Sequence, residues 1–252
     1  MSIESQQDLT GLQAVSEAVG LTLKKMRDYA RPGMSTLELD EYGGTILSNF
    51  GAQPAPRITY GFPGYTCISL NTEVAHGIPS ASAVLKEGDL VNIDVSAELG
   101  GYFSDNGGSF VLGNDLHNLN PLISCSKRAL QKALSQIRGG VKIAQIGALI
   151  ENEARRSGFR VIRNLAGHGI GRSLHEQPHD LLCYPEQSDR RRFRKNTVVA
   201  LETFISTRAI YVHEKGDGWT LVTRDGSFVA QHEHTILITE GKPVILTAAN
   251  GI

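Results

Sequence analysis

The sequence predicts an α+β domain in which two related halves share one central sheet. Three observations predict it. Two pairs of helix-period segments recur about half a chain apart, and an HGI triplet follows each pair, at His76 and His168. An apolar strand ending in an acid follows each triplet, "LVNID" to Asp94 and "VVALE" to Glu202. With 252 residues, 40% of them hydrophobic, the chain can bury one sizeable core or two fused smaller ones.

The first helix is expected from about Leu9 to Tyr29, because Leu12, Val15, Val19, Leu23 and Met26 fall at spacings of three and four. Arg31-Pro32-Gly33 breaks it. A second helix is expected from Thr36 to Phe50, ending at Gly51. Two similar helices are expected at about Pro121–Ile137 and Ala144–Ser157, separated by Arg138-Gly139-Gly140 and stopped by Gly158. Arg31, Gly33 and Gly51 each have a like residue 107 positions on, at Arg138, Gly140 and Gly158. After "LVNID" and "VVALE" come further strands, "GGSFVLG" and "HTILIT", with Asp105 and Glu233 just ahead of them. The chain therefore reads as a single domain, 1–252, with an internal duplication whose halves are roughly 1–115 and 116–252. A pseudo-twofold axis would bring the acid-tipped strands to the centre.

Composition narrows the function. Formal net charge is −1, and the only dense basic cluster is Arg190, Arg191, Arg192, Arg194 and Lys195. Such a cluster reads first as a solvated loop and only second as a nucleic-acid patch. Cys67, Cys125 and Cys183 lie far apart, form no CxxC and are odd in number, which fits a reducing cytosol rather than a disulfide framework. "MSIESQQDLTG" lacks the basic and apolar regions of a signal peptide, and no apolar run approaches the roughly 18 residues of a membrane helix. The expectation is a globular, cytoplasmic protein with no membrane and no stable nucleic-acid partner.

The acids carry the chemistry. If Gly100-Gly101 is a two-residue turn, position 94 pairs with 107, and Asp105 lies diagonal to Asp94 on the same face. If Leu99-Gly100 is the loop, Asp94 and Asp105 face each other directly, and a three-residue loop would separate them. Glu202 in "VVALETF" and Glu233 in "AQHEHTILIT" extend the set to four. Carboxylates held in apolar strands are costly unless neutralised. Two divalent cations balance four such charges, and oxygen ligands with one imidazole suit Mn, Fe, Co or Zn. A bridged pair of ions can activate a water and polarise a carbonyl.

With these residues in view, the chain resembles the type I methionine aminopeptidases. The resemblance covers nearly the whole chain, through "CISLNTEVAHGIP", "GDLVNIDV", "AGHGIGRSLHEQP", "DGWTLVTRDGSFVAQHEHTI" and the acid at Glu202. It implies the duplicated pita-bread fold, an antiparallel sheet with helices on its outer face. It implies metal ligands at Asp94, Asp105, His168, Glu202 and Glu233, with Asp105 and Glu233 bridging two ions. It implies that Glu202 is also the general base, that His76 contacts the scissile amide and that His175 helps hold the carbonyl oxygen. Phe62, Cys67, Leu174 and Trp219, with His76 and His175, would line the substrate site, and Cys67 would be a wall rather than a nucleophile. The implied reaction is hydrolytic removal of N-terminal methionine from peptides and nascent chains, with small second residues preferred. A monomer with at most a transient ribosome contact is expected.

Departures from the family pattern are Asn106 after Asp105, Thr203-Phe204 after Glu202, Leu174 where an aromatic is usual and Phe62 where Tyr is common. None removes a ligand, so they bear on pocket shape. Two rivals share the fold. A prolidase or aminopeptidase P usually carries an additional N-terminal domain, for which a pattern starting within the first 30 residues leaves no room. A non-catalytic ribosome or RNA binder would be expected to lack metal ligands. Within "AGHGIGRSLHEQPH", Gly167, Gly169 and Gly171 disfavour a helix and are expected to let the backbone turn at His168. His179 carries no role and is expected at the surface or behind the site.

Overall fold

Four long helices lie on one face of an antiparallel sheet, and the opposite face is left for chemistry. The computed structural model describes residues 2–252. The helices are α1 (Gln6–Tyr29), α2 (Thr36–Asn49), α3 (Ala55–Tyr60), α4 (Asn120–Gln136) and α5 (Ile143–Arg156). The strands are β1 (Gln53–Pro54), β2 (Cys67–Leu70), β3 (Glu73–Ala75), β4 (Leu90–Leu99), β5 (Tyr102–Val111), β6 (Arg160–Val161), β7 (Ala166–Gly169), β8 (Glu176–Leu182), β9 (Val198–Ser206), β10 (His213–Glu214), β11 (Leu221–Val222), β12 (Val229–Leu237) and β13 (Val244–Ile245).

The four long helices lie where the periodicity puts them, within a few residues. α1 begins earlier than expected, because Ser5 and Asp8 form a reciprocal capping box. Its stripe of Leu12, Val15, Val19, Leu23 and Met26 is buried at 0–1% exposure. Burying each such side chain contributes about 1.5–3 kcal/mol. Ser35 and Glu38 cap α2 in the same way.

The main sheet runs β1-β4-β5-β12-β9-β7-β8, with β2 on β4, β6 on β9 and β13 on β12. β5 and β12 are central, and β4 and β9 flank them. The period of two divides the faces. Val91, Ile93, Val95 and Ala97 of β4 join the core that contains the α1 stripe. Val199, Leu201 and Ile205 of β9 join the core that contains the buried residues of α4 and α5. Asp94, Asp105, Glu202 and Glu233 take the alternate positions.

The β4–β5 turn is Gly100-Gly101, both at positive φ (61° and 83°), with Leu99 opposite Tyr102 and Asp94 opposite Gly107. This is the first of the registers considered, and it puts Asp105 opposite Ser96 and diagonal to Asp94. One expectation needs correction. The strands begin earlier and run longer than the apolar runs, so Asp105 and Glu233 lie within β5 and β12 rather than ahead of them. Polar side chains such as Ser104, Asn106 and Thr235 belong to these strands because they are buried and hydrogen-bonded, Ser104 to Ser16 of α1 and the other two across the sheet.

Two further features have little apolar signal: the short α3, and a small sheet, β10-β11-β3. In that sheet Leu221 pairs with Ala75, which brings the Trp219 loop beside His76.

Candidate active site

The four acids come from the middle of four adjacent strands. Glu202 and Glu233 are direct partners across the β9–β12 ladder. His168 arrives from β7, where it pairs with Ala200. Its strand conformation corrects the expected turn. The flanking glycines serve close approach: a side-chain carbon on Gly167 would stand 2.4 Å from the Ala200 carbonyl oxygen, and one on Gly169 would stand 2.2 Å from that of Gln177. Ligand atoms of Asp105, His168 and Glu233 lie within 4.8 Å of one another. His168 Nε2 is 3.8 Å from Asp105 Oδ2.

Asp94 and Glu202 join this group through a shared amide. Gln231 Nε2 lies 3.4 Å from Asp94 Oδ2, 3.0 Å from Glu202 Oε2 and 3.3 Å from Glu233 Oε2. Gln231 is aimed by Asn92, whose Nδ2 donates to its Oε1 at 2.6 Å, and Ser109 in turn donates to Asn92. Neither Gln231 nor Asn92 was singled out from the sequence. The signal was present, since each lies two residues from an acid and therefore on its face of the strand.

The electrostatics are those of crowded buried carboxyls. Burial, then the Asp94 charge, pushes Asp105 well above the ordinary carboxyl range. Burial and three neighbouring acids do the same to Glu233, and burial with Asp94 does so to Glu202. Burial also raises Asp94, though less, because Asp105 donates a hydrogen bond to it. Asp105 Oδ1 is buried with no hydrogen-bond partner among the described residues. His168 is lowered to about 3, chiefly by burial and then by His175, so it stays neutral. Its Nδ1–H donates to the Gly169 carbonyl at 3.0 Å, which leaves the Nε2 lone pair facing the acids. An orphaned buried carboxylate oxygen, clustered acids and one committed imidazole lone pair fit divalent cations.

Above this floor the pocket is lined by Tyr60, Phe62, Cys67, Leu174 and Trp219 among others. Phe62 is fully buried and meets the Trp219 ring edge to face, with centroids 5.2 Å apart. The backbone N–H groups of Trp219 and Thr220 donate to Asp217, which fixes that turn. Cys67 pairs with Asp94 in the sheet, and burial raises its thiol well above the ordinary value, so it is not poised as a nucleophile.

His76, which follows β3, and His175, which precedes β8, both line the pocket. His76 sits in the left-handed region at φ 54, a conformation that costs a non-glycine residue about 1–2 kcal/mol and that here directs the chain after β3. The His175 ring lies 4.0 Å from that of His168. Burial lowers the pKa of both His76 and His175. Tyr60, not anticipated from the sequence, hydrogen-bonds His175. His179 is exposed and does not line the pocket.

Residues 10–240 match the model of metallopeptidase family M24. The chain is 52% identical over 247 residues to methionine aminopeptidase 2 of Bacillus subtilis, covering 98% of this chain and 99% of the other. Among solved structures it superposes on methionine aminopeptidase from Thermotoga maritima with a TM-score of 0.93, at 33% identity, over 98% and 99% of the two chains. A prolidase from Pyrococcus furiosus shares the fold at TM-score 0.76 and 19% identity, with 97% of this chain covering 65% of that one.

Proposed function

Because the chain belongs to metallopeptidase family M24 and to its methionine aminopeptidases, with their pita-bread fold, we propose how its residues perform the metal-dependent removal of N-terminal methionine from peptides and proteins. The observation that carries the proposal is the floor of three buried acids, half-buried Asp94 and one neutral imidazole beneath an apolar pocket.

Asp94, Asp105, His168, Glu202 and Glu233 would hold two divalent ions, drawn from Mn, Fe, Co or Zn, which would supply Lewis acidity to a water and to the scissile carbonyl. Asp105 lies opposite Thr235 and diagonal to Glu233, with ligand atoms of the two acids within 4.8 Å, so both would serve the same ions. Glu202 takes the proton of the attacking water and delivers it to the leaving amine. His175 donates to the carbonyl oxygen as negative charge develops there. His76 contacts the scissile amide. Phe62, Trp219, Cys67 and Leu174 enclose the methionine side chain, an unbranched thioether that suits apolar and aromatic walls.

Small second residues are preferred in this scheme, and nascent chains are the natural substrates. The enzyme acts as a cytoplasmic monomer, and Arg190–Lys195 offers at most a transient ribosome contact. The chain reads as one catalytic domain of two related halves, about 1–115 and 116–252. The central placement of β5 and β12, with β4 and β9 outside them, supports that reading. No helix among the described residues is long and apolar enough to cross a membrane.

The test is to strip metal with a chelator, add back Mn, Co, Fe or Zn singly, and measure methionine release from a Met-Ala-Ser peptide. Restored release is expected with at least one ion. Absence of release with all four refutes the scheme.

A further inference from the structure

Tyr60 closes α3. Its position is set locally: Gly61 follows in the left-handed conformation at φ 76, and its N–H returns to the Arg57 carbonyl at 3.1 Å. This ends the helix and turns the chain so that Phe62 enters the pocket wall. Tyr60 itself stays at the rim, 50% exposed, where a phenol would ordinarily be left to water. Instead its Oη lies 2.7 Å from His175 Nδ1, and the two rings pack at 5.7 Å. The other neighbour of the His175 ring is His168, 4.0 Å away and tilted by 36°. The imidazole is therefore held between two rings, with one nitrogen engaged and the other free.

Two arrangements satisfy that hydrogen bond. The phenol donates to a bare Nδ1, or an Nδ1–H donates to the phenol oxygen. A phenol is the more acidic donor, and a neutral imidazole nitrogen is a far better acceptor than a phenol oxygen, so the first is favoured. We infer that Tyr60 is a positioning residue for His175: it donates to Nδ1, fixes the ring proton on Nε2 and so presents an N–H donor to the substrate carbonyl. The two neighbouring histidines are then held in opposite tautomers. His168, with Nδ1–H given to the Gly169 carbonyl, offers a lone pair, while His175, with Nδ1 filled by Tyr60, offers a proton.

The inference rests on the carbonyl-side role proposed for His175, and the test separates the two. Zinc-loaded protein carrying ¹⁵N-labelled histidine is examined by long-range ¹H–¹⁵N correlation, with the His175 signals identified by their loss in His175→Gln. Wild-type His175 is expected as the Nε2–H tautomer. In Tyr60→Phe, which keeps the ring at the rim, a mixture of tautomers is expected. Its kcat on Met-Ala-Ser should fall about tenfold, the kinetic equivalent of one hydrogen bond, while KM changes by less than about threefold. An Nδ1–H tautomer in the wild type overturns the inference. So does a Tyr60→Phe variant in which either the tautomer or kcat is unchanged. Full activity in His175→Gln overturns instead the role of His175 itself, and the tautomer spectrum, which needs no turnover, tells that failure from the first.

Discussion

Gln231 donates its amide N–H to Glu202 across 3.0 Å, from a nitrogen that also lies within 3.4 Å of Asp94 and Glu233. One neutral donor thus spaces three acids before any cation arrives. Replacing it with an apolar residue leaves their mutual repulsion and removes the group that aims them. Gln231→Leu is expected to weaken Mn(II) binding by about 10–100-fold, as loss of a ligand's supporting partner does elsewhere. Calorimetric titration of the metal-free protein measures it, and an unchanged Kd counts against the role.

The raised carboxyls make metal binding pH-dependent with a definite sign. Asp105, Glu202 and Glu233 hold protons in the metal-free folded state at pH values where the unfolded chain has released them. Metal-free stability from these groups is therefore greatest below the ordinary glutamate value of 4.5 and declines as pH rises. Cations reverse that decline by neutralising the charge. The gain in Tm on adding metal should be larger at pH 7.5 than at pH 5. A gain that is equal or larger at pH 5 would contradict the assignment.

Glu202→Gln preserves shape while removing one negative charge and the only proposed proton carrier. General-base action alone is worth about 10²–10⁴ in rate. The variant should lose at least about a thousandfold in kcat on Met-Ala-Ser and keep its circular dichroism spectrum. Near wild-type turnover refutes the base assignment.

Leu174 is buried at 2% exposure in the pocket wall. A branched aliphatic wall encloses the substrate side chain less rigidly than a ring. Peptides beginning with leucine or norleucine should be cleaved measurably beside those beginning with methionine. Leu174→Phe should lower kcat/KM for the leucine peptide relative to the methionine peptide by about tenfold, the scale of a methylene-sized misfit. Strict methionine preference in the wild type would show that Leu174 does not loosen the site.

Much of this architecture is legible in the chain itself. The α1 stripe announces its helix because burial has a period the sequence must respect, and Gly100-Gly101 fixes a hairpin register because both positions need positive φ. The acids stand out because carboxylates in apolar strands need a reason. Polar strand positions are harder to read. Asn106 and Thr235 are buried by cross-strand hydrogen bonds that no local pattern reports. The glycines beside His168 suggest a turn where the chain is extended, since close backbone approach and flexible φ use the same residue. Tyr60 was invisible because its partner lies 115 residues away.

The division of the sheet into a helix-packed face and an acid-bearing face has a genetic consequence. Along Leu90–Leu99 the two faces alternate with every residue, so neighbouring codons answer to different selective pressures. Lesions at Val91, Ile93 and Val95 strike the common core and cost abundance. Lesions at Asn92 and Asp94 leave a folded but silent protein. A saturation library scored separately for protein level and for turnover would resolve this strand into two interleaved phenotypes.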